Sequence, residues 1–261
     1  MYETIRIEKS GVVGWLVLNR PDKLNALNTK MLGEALEALE KLEGDSSVKF
    51  VAVTGEGKAF SAGLDLSEVA GAGDPDGAGR ILGELAGFFK RLLSLSKPVI
   101  MAVNGHAFGG GAELLWAGDL VVAVRGARIS WAETLWNLVP PLLPTIGVQV
   151  LGPARAALLA LAVEEITSEE AYRLGLVSRL VDSREKLREE VEMLTREIMR
   201  SSPYSVKSVI RMLRVAKIST LAELGISELE RMARHRLTIE AARKFLESKK
   251  PPNYRNLWLS T

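Results

Sequence analysis

Three consecutive glycines, Gly109-Gly110-Gly111, run directly into Ala112-Glu113-Leu114-Leu115-Trp116, and this junction constrains the fold more than any other stretch. Without Cβ atoms, such a backbone passes closer to a ligand or to another strand than other residues allow. The apolar residues 98–103 ahead of it read as a strand, and the residues behind it as a short helix to about 117. The first amides of a helix have no intrahelical acceptor and receive anions readily. Glu113 stands in that same first turn. Amide donors beside a carboxyl group suit a carbonyl whose oxygen becomes negative during reaction, which directs attention to acyl chemistry.

Elsewhere the pattern alternates strands and helices. Residues 4–9 alternate apolar and polar, and 12–18 follow Ser10-Gly11, a hairpin. Asn28 is placed to cap a helix over 29–43, with Met31, Leu32, Ala35, Leu36, Leu39 and Leu42 on one side. A strand at 48–54 ends at Gly55-Glu56-Gly57. The glycine-rich stretch 71–79 reads as a mobile surface loop, with helix over 80–95. Short strands are expected at 120–124, 128–131 and 177–181. Helices are expected at 154–161, 168–174, 184–200, 206–215 and, as one long element, 221–248. The fold class is therefore α/β with a helical tail.

Several chemistries are excluded by what is missing. The 261 residues contain no cysteine and two histidines, His106 and His235, which leaves no thiolate chemistry and no multi-histidine metal site. Gly55-Glu56-Gly57-Lys58-Ala59 lacks the spacer and final hydroxyl of a phosphate loop. No strand leads into G-x-G-x-x-G, and no G-x-S-x-G elbow accompanies either histidine. A net charge of +2 gives no reason to expect nucleic acid, although the pI of 8.8 is basic. No apolar run reaches the length of a membrane span, and the first residues lack a signal-peptide core. A cytoplasmic, metal-free protein is expected.

Two further elements complete the picture. Ala59-Phe60-Ser61-Ala62-Gly63-Leu64-Asp65 follows the strand at 48–54, and Gly63 permits close approach. The Leu64 N–H is expected to point into a pocket that the Gly110 N–H enters from the other side. Two converging amides make an oxyanion hole, in which each donor is typically worth about 2.7–4 kcal/mol. Glu133 sits among Trp131, Ala132, Leu135 and Trp136, and burial among apolar groups raises a carboxyl pKa toward the range useful for proton transfer. Paired carboxylates such as Glu113 and Glu133 activate and orient one water. Asp65 is read as holding its loop, and His106 as structural.

These segments resemble the crotonase, or enoyl-CoA hydratase/isomerase, superfamily over nearly the whole chain. Asn19-Arg20-Pro21-Asp22-Lys23-Leu24-Asn25-Ala26-Leu27 looks like its CoA-adenine segment. Lys58 to Asp65 resembles its first oxyanion-hole motif, and Lys97 to Leu114 its second. Ala171-Tyr172-Arg173-Leu174-Gly175-Leu176-Val177 and Pro251-Pro252-Asn253-Tyr254-Arg255 match its tail. Five such segments in order are highly specific.

The resemblance implies a spiral of ββα turns over residues 1–195 and a C-terminal helical trimerisation segment over 196–261, in a homotrimer or a dimer of trimers. It implies an acyl-CoA thioester held by the Leu64 and Gly110 amides, with coenzyme A part of the substrate and no separate cofactor. Glu113 and Glu133 occupy the positions of the two hydratase glutamates. Contacts to CoA or substrate are implied for Lys23, Ala26, Leu27, Ala62, Asp65, Leu66, Gly109, Pro141 and Tyr254. Pro141 departs from the pattern: it stands where a glycine is usual and has no N–H to donate. Leu142 and Leu143 beside it are expected to reshape the acyl pocket. Hydration of an enoyl-CoA leads. Double-bond isomerisation, another thioester reaction, and an RNA-binding or non-catalytic CoA-ester-binding protein on the same scaffold are the alternatives.

Overall fold

The computed structural model describes residues 2–217 and 222–258, and in it the chain winds through repeated strand–strand–helix units. Strands β1 (Ile5–Ser10) and β2 (Val13–Leu18) form the opening hairpin, followed by helix α1 (Thr29–Gly44). Next come β3 (Phe50–Gly55), β4 (Ala59–Ser61), α2 (Leu66–Gly71) and α3 (Pro75–Ser94). A further unit is β5 (Val99–Val103), β6 (His106–Phe108) and α4 (Gly110–Ala117). Strands β7 (Leu120–Val124) and β8 (Arg128–Ser130) start the following one. Beyond lie α5 (Val148–Leu151), α6 (Pro153–Leu161), β9 (Ile166–Thr167), α7 (Ser168–Arg173), β10 (Arg179–Val181) and α8 (Arg184–Ile198). The tail consists of α9 (Pro203–Lys217), α10 (Glu223–Ala233), α11 (Arg236–Ser248) and α12 (Arg255–Trp258).

The opening hairpin joins β3, β5, β7 and β10 in a six-stranded sheet ordered β1-β2-β3-β5-β7-β10, and the short strands form a four-stranded sheet ordered β4-β6-β8-β9. From β2 to β10 the larger sheet is parallel. Its strands β2, β3 and β5 are buried along their whole length, as expected of parallel strands covered on both faces. This is the α/β spiral that the sequence led us to expect. The small strands β4, β6 and β9 were not separable in the sequence, because two or three residues carry no period.

Two expectations need correction. The 71–79 stretch is a loop only over 72–74, and α3 begins at Pro75. Asp74 caps α3, its Oδ1 accepting from Gly77 N at 2.7 Å, and Pro75 takes the first turn, where a missing N–H costs nothing. Gly77 and Gly79 are buried and let α3 pack closely on Ala72 and on Arg234. Nor is 221–248 one helix. Among the described residues α10 ends at Ala233, and His235 caps α11 by accepting from Leu237 N at 3.3 Å. Leu221 lies outside the described residues.

That break folds α11 back onto α2, beside α10 on α3. A second apolar cluster, including Val69, Leu82, Leu138, Leu229 and Ile239, forms there, apart from the main core. Helix α9 is fastened at its end. Arg214 reaches Asp119 at 3.0 Å and Lys97 O at 2.8 Å, and Lys217 Nζ donates to Trp116 O (3.2 Å) and Gly118 O at the end of α4.

Candidate active site

The triple glycine works as its composition requires. Gly109 adopts φ 50°, ψ −127°, open to glycine and costly for other residues, and its carbonyl accepts from Ala112 N (2.8 Å) and Glu113 N (3.0 Å). Gly111 packs α4 onto β4: a Cβ there would meet Ser61 O at 2.5 Å.

Across from it, Leu27 and Leu64 form a parallel bridge in which Leu27 N donates to Gly63 O (2.7 Å) and Asp65 N to Leu27 O (2.9 Å). Alternation along an extended segment turns the Leu64 N–H the opposite way. A Cβ on Gly63, whose φ is +83°, would fall 2.9 Å from Gly110 N, so the two turns touch. Among the described residues neither Leu64 N nor Gly110 N has an intramolecular acceptor. Both residues line one cavity of about 400 Å³. Two preorganised donors of this kind stabilise negative charge on a carbonyl oxygen.

Glu133 lines the same cavity. It opens a 3-10 turn, Glu133–Trp136, rather than ending a strand, and neither of its carboxylate oxygens has a hydrogen-bond partner. Glu113 is wholly buried behind the cavity wall. The amides of Leu142 and Leu143 both donate to it, the latter at 3.2 Å. Burial raises both carboxyl pKa values, that of Glu133 to about 8, and the charge of Glu133 raises Glu113 further against the pull of its two amides. Two buried carboxylates so close do not both ionise at neutral pH. The amides favour charge on Glu113, while burial and the charge of Glu133 oppose it, so the pair shares one proton. The pair thus offers one base and one acid.

Lys23, Ala26, Ala62, Asp65, Leu66 and Gly109 also line the cavity. Asp65 caps α2 and accepts from Arg20 Nη1 at 2.9 Å, so it holds its loop. Leu27 is fully buried beneath the Gly110 turn. Pro141 lies outside the cavity, its carbonyl accepting from Thr145 Oγ1 (2.7 Å) and its backbone pressed by Gly225 of α10. Tyr254 also lies outside, donating to Leu135 O at 3.4 Å. Leu142 and Leu143 do not shape the cavity, contrary to expectation: their side chains are core and their amides hold Glu113.

Sequence reasoning missed Arg20, Phe108, Trp136, Leu138, Phe245 and Leu246 as lining residues. Arg20 lay inside a quoted motif. Phe245 and Leu246 had no local signal, because α11 reaches the site only by packing on α2. Asn25 and Asn104 brace the floor: Asn25 Nδ2 donates to Glu56 O and Ala59 O, and Asn104 Nδ2 to Gly57 O and Ala59 O.

Fold and cavity together are those of a crotonase-fold enzyme. The pattern of the enoyl-CoA hydratase/isomerase family matches residues 8–256, and the chain belongs to that family. The 1,2-epoxyphenylacetyl-CoA isomerase of Escherichia coli (strain K12) is 35% identical over 216 residues, 79% of this chain and 80% of that one. The short-chain-enoyl-CoA hydratase of Clostridium acetobutylicum is 36% identical over 204 residues, 77% of each. The crystal structure of an enoyl-CoA hydratase/isomerase from Xanthobacter autotrophicus Py2 matches with a TM-score of 0.84 and 30% identity, covering 95% of this chain and 94% of the other.

Proposed function

We propose that the protein adds water across the 2,3 double bond of an enoyl-CoA thioester. The observation that carries this reading is the convergence of two unpartnered amides, Leu64 and Gly110, on a cavity lined by Glu133 and backed by Glu113. In this reading the amides hold the thioester oxygen as it gains charge. Glu113, ionised, takes a proton from the attacking water as its oxygen bonds to C3. Glu133, neutral, gives its proton to C2. Atoms balance, and the carboxyls regain their original states by proton exchange. Arg20 and Lys23, at the same cavity, supply positive charge for CoA phosphates, and no separate cofactor takes part.

Double-bond isomerisation is the second reading, and one observation favours it: Glu133 lines the cavity and Glu113 does not. The deciding experiment is turnover of a panel of enoyl-CoA thioesters by the wild type, Glu113→Gln and Glu133→Gln, with product masses measured. A product heavier by one water, lost in both variants, supports hydration. A product of unchanged mass, lost mainly in Glu133→Gln, overturns it in favour of isomerisation.

A homotrimer or dimer of trimers is proposed from the family resemblance, with the exposed apolar face of α9 in keeping, and a cytoplasmic location from the composition of the chain. Among the described residues no helix is long and apolar enough to cross a membrane.

A further inference from the structure

The substrate class is written into one end of the cavity. In the 3-10 turn Glu133–Trp136 the first and fourth residues stand over one another, because that helix has three residues per turn. The carboxyl group that serves C2 in the proposed reaction therefore shares its face with the Trp136 indole. Helix α11 brings Phe245 against that indole, edge to face, with ring centres 4.9 Å apart. Both rings line the cavity and both remain half-exposed, whereas Trp15, Trp131, Phe60, Phe88 and Phe89 are fully buried. Leu138 and Leu246 complete this apolar end. The basic side chains on the cavity wall, Arg20 and Lys23, come from the segment bridged to Leu64 and not from this one.

Helix α11 is held there by more than the ring pair. Thr238 Oγ1 donates to Asn137 O at 3.3 Å, and Arg243 Nε donates to Ala70 O at 3.0 Å. The Phe245 ring is thus fixed relative to Glu133 by bonds to the residue after the 3-10 turn and to α2. An edge-to-face pair leaves a ring face and a ring edge free for a third ring. We propose that the acyl group carries an aryl substituent on C3, seated against Trp136 and Phe245, with Phe245 the specificity-determining residue. This rests on the reading of the cavity as an acyl-CoA site.

The test is equilibrium binding of saturated thioesters, which do not turn over, to the full-length protein. 3-Phenylpropanoyl-CoA is compared with 3-cyclohexylpropanoyl-CoA, of similar size but without the ring quadrupole, and free CoA is the reference. The phenyl ester should bind roughly threefold to tenfold more tightly than the cyclohexyl ester. Phe245→Leu, which keeps apolar bulk, should bring that ratio close to one. Equal or inverted affinities in the wild type overturn the proposal without recourse to any variant. So does a phenyl preference that survives Phe245→Leu in a protein whose melting curve is intact. If neither thioester nor CoA binds, the acyl-CoA reading itself fails, an outcome separate from the loss of aryl preference.

Discussion

In the proposed reaction Glu133, whose carboxylate oxygens have no hydrogen-bond partner, is the acid, and Glu113, which accepts from two amides, is the base. Burial raises the Glu133 pKa to about 8, so the acid form required for proton delivery persists through neutral pH and is lost above it. Activity should therefore fall on the alkaline side near pH 8, read from the pH profile of kcat/KM. Replacing Glu133 by Gln should remove that limb and lower kcat by about 10²–10⁴, the usual contribution of a positioned acid or base. A profile that stays flat past pH 9 in the wild type would contradict the assignment of the acid. The upward shift of Glu133 was legible in its apolar neighbours, but the amides on Glu113 were not, since Leu142 and Leu143 lie about thirty positions from the carboxylate they hold.

At the scale of the element, α4 does its work at both ends. Its first turn carries the Gly110 amide and Glu113, and its packing depends on Gly111. A Cβ at Gly111 would meet Ser61 O at 2.5 Å and Ser61 Cβ at 2.8 Å, both on β4. Gly111→Ala should push α4 off β4, costing about 1–3 kcal/mol in a urea titration and lowering kcat more than it raises KM. Its C-terminal carbonyls accept from Lys217, beside the buried Arg214–Asp119 pair. Removing Arg214 leaves Asp119 buried, held by the Val99 amide (2.7 Å) and near the Lys217 ammonium but without its guanidinium partner. Arg214→Met should therefore destabilise the fold by about 3 kcal/mol, measured by the same titration.

For the whole molecule, α9 turns Arg214 and Lys217 toward its body and part of its apolar surface outward. Val209, Met212 and Leu213, at helical spacing, point outward, and Met212 is 64% exposed. The proposed trimer would cover this stripe. Met212→Glu combined with Leu213→Glu should convert the proposed trimer to smaller species in sedimentation velocity; a wild type that sediments as a monomer would refute the trimer. The carboxyl pair also sets a pH trend in stability. A folded pKa raised from 4.5 to about 8 means that the folded state holds its proton more tightly. Its stabilising contribution is complete below about pH 4.5 and is lost as pH rises through about 8. Between pH 5 and 9 the wild-type melting temperature should fall more steeply than that of Glu133→Gln, which carries no such proton.

Local chemistry determined much of this protein in advance. The strand-to-helix turn at Gly109-Gly110-Gly111, the Asn28 cap, the apolar strands and the paired Leu64 and Gly110 turns are set by neighbours a few residues apart, which is the range over which backbone sterics and periodicity act. The 71–79 segment was misread because its glycines serve close helix packing, a reason that exists only once α2 and α10 are in place. What tertiary structure alone decided was the site's environment. It placed Glu113 under two distant amides, left Glu133 without a partner, and folded α11 back so that Phe245 meets Trp136. Burial, charge repulsion and ring contact depend on distance through space, and the chain order does not encode those distances until the spiral has closed.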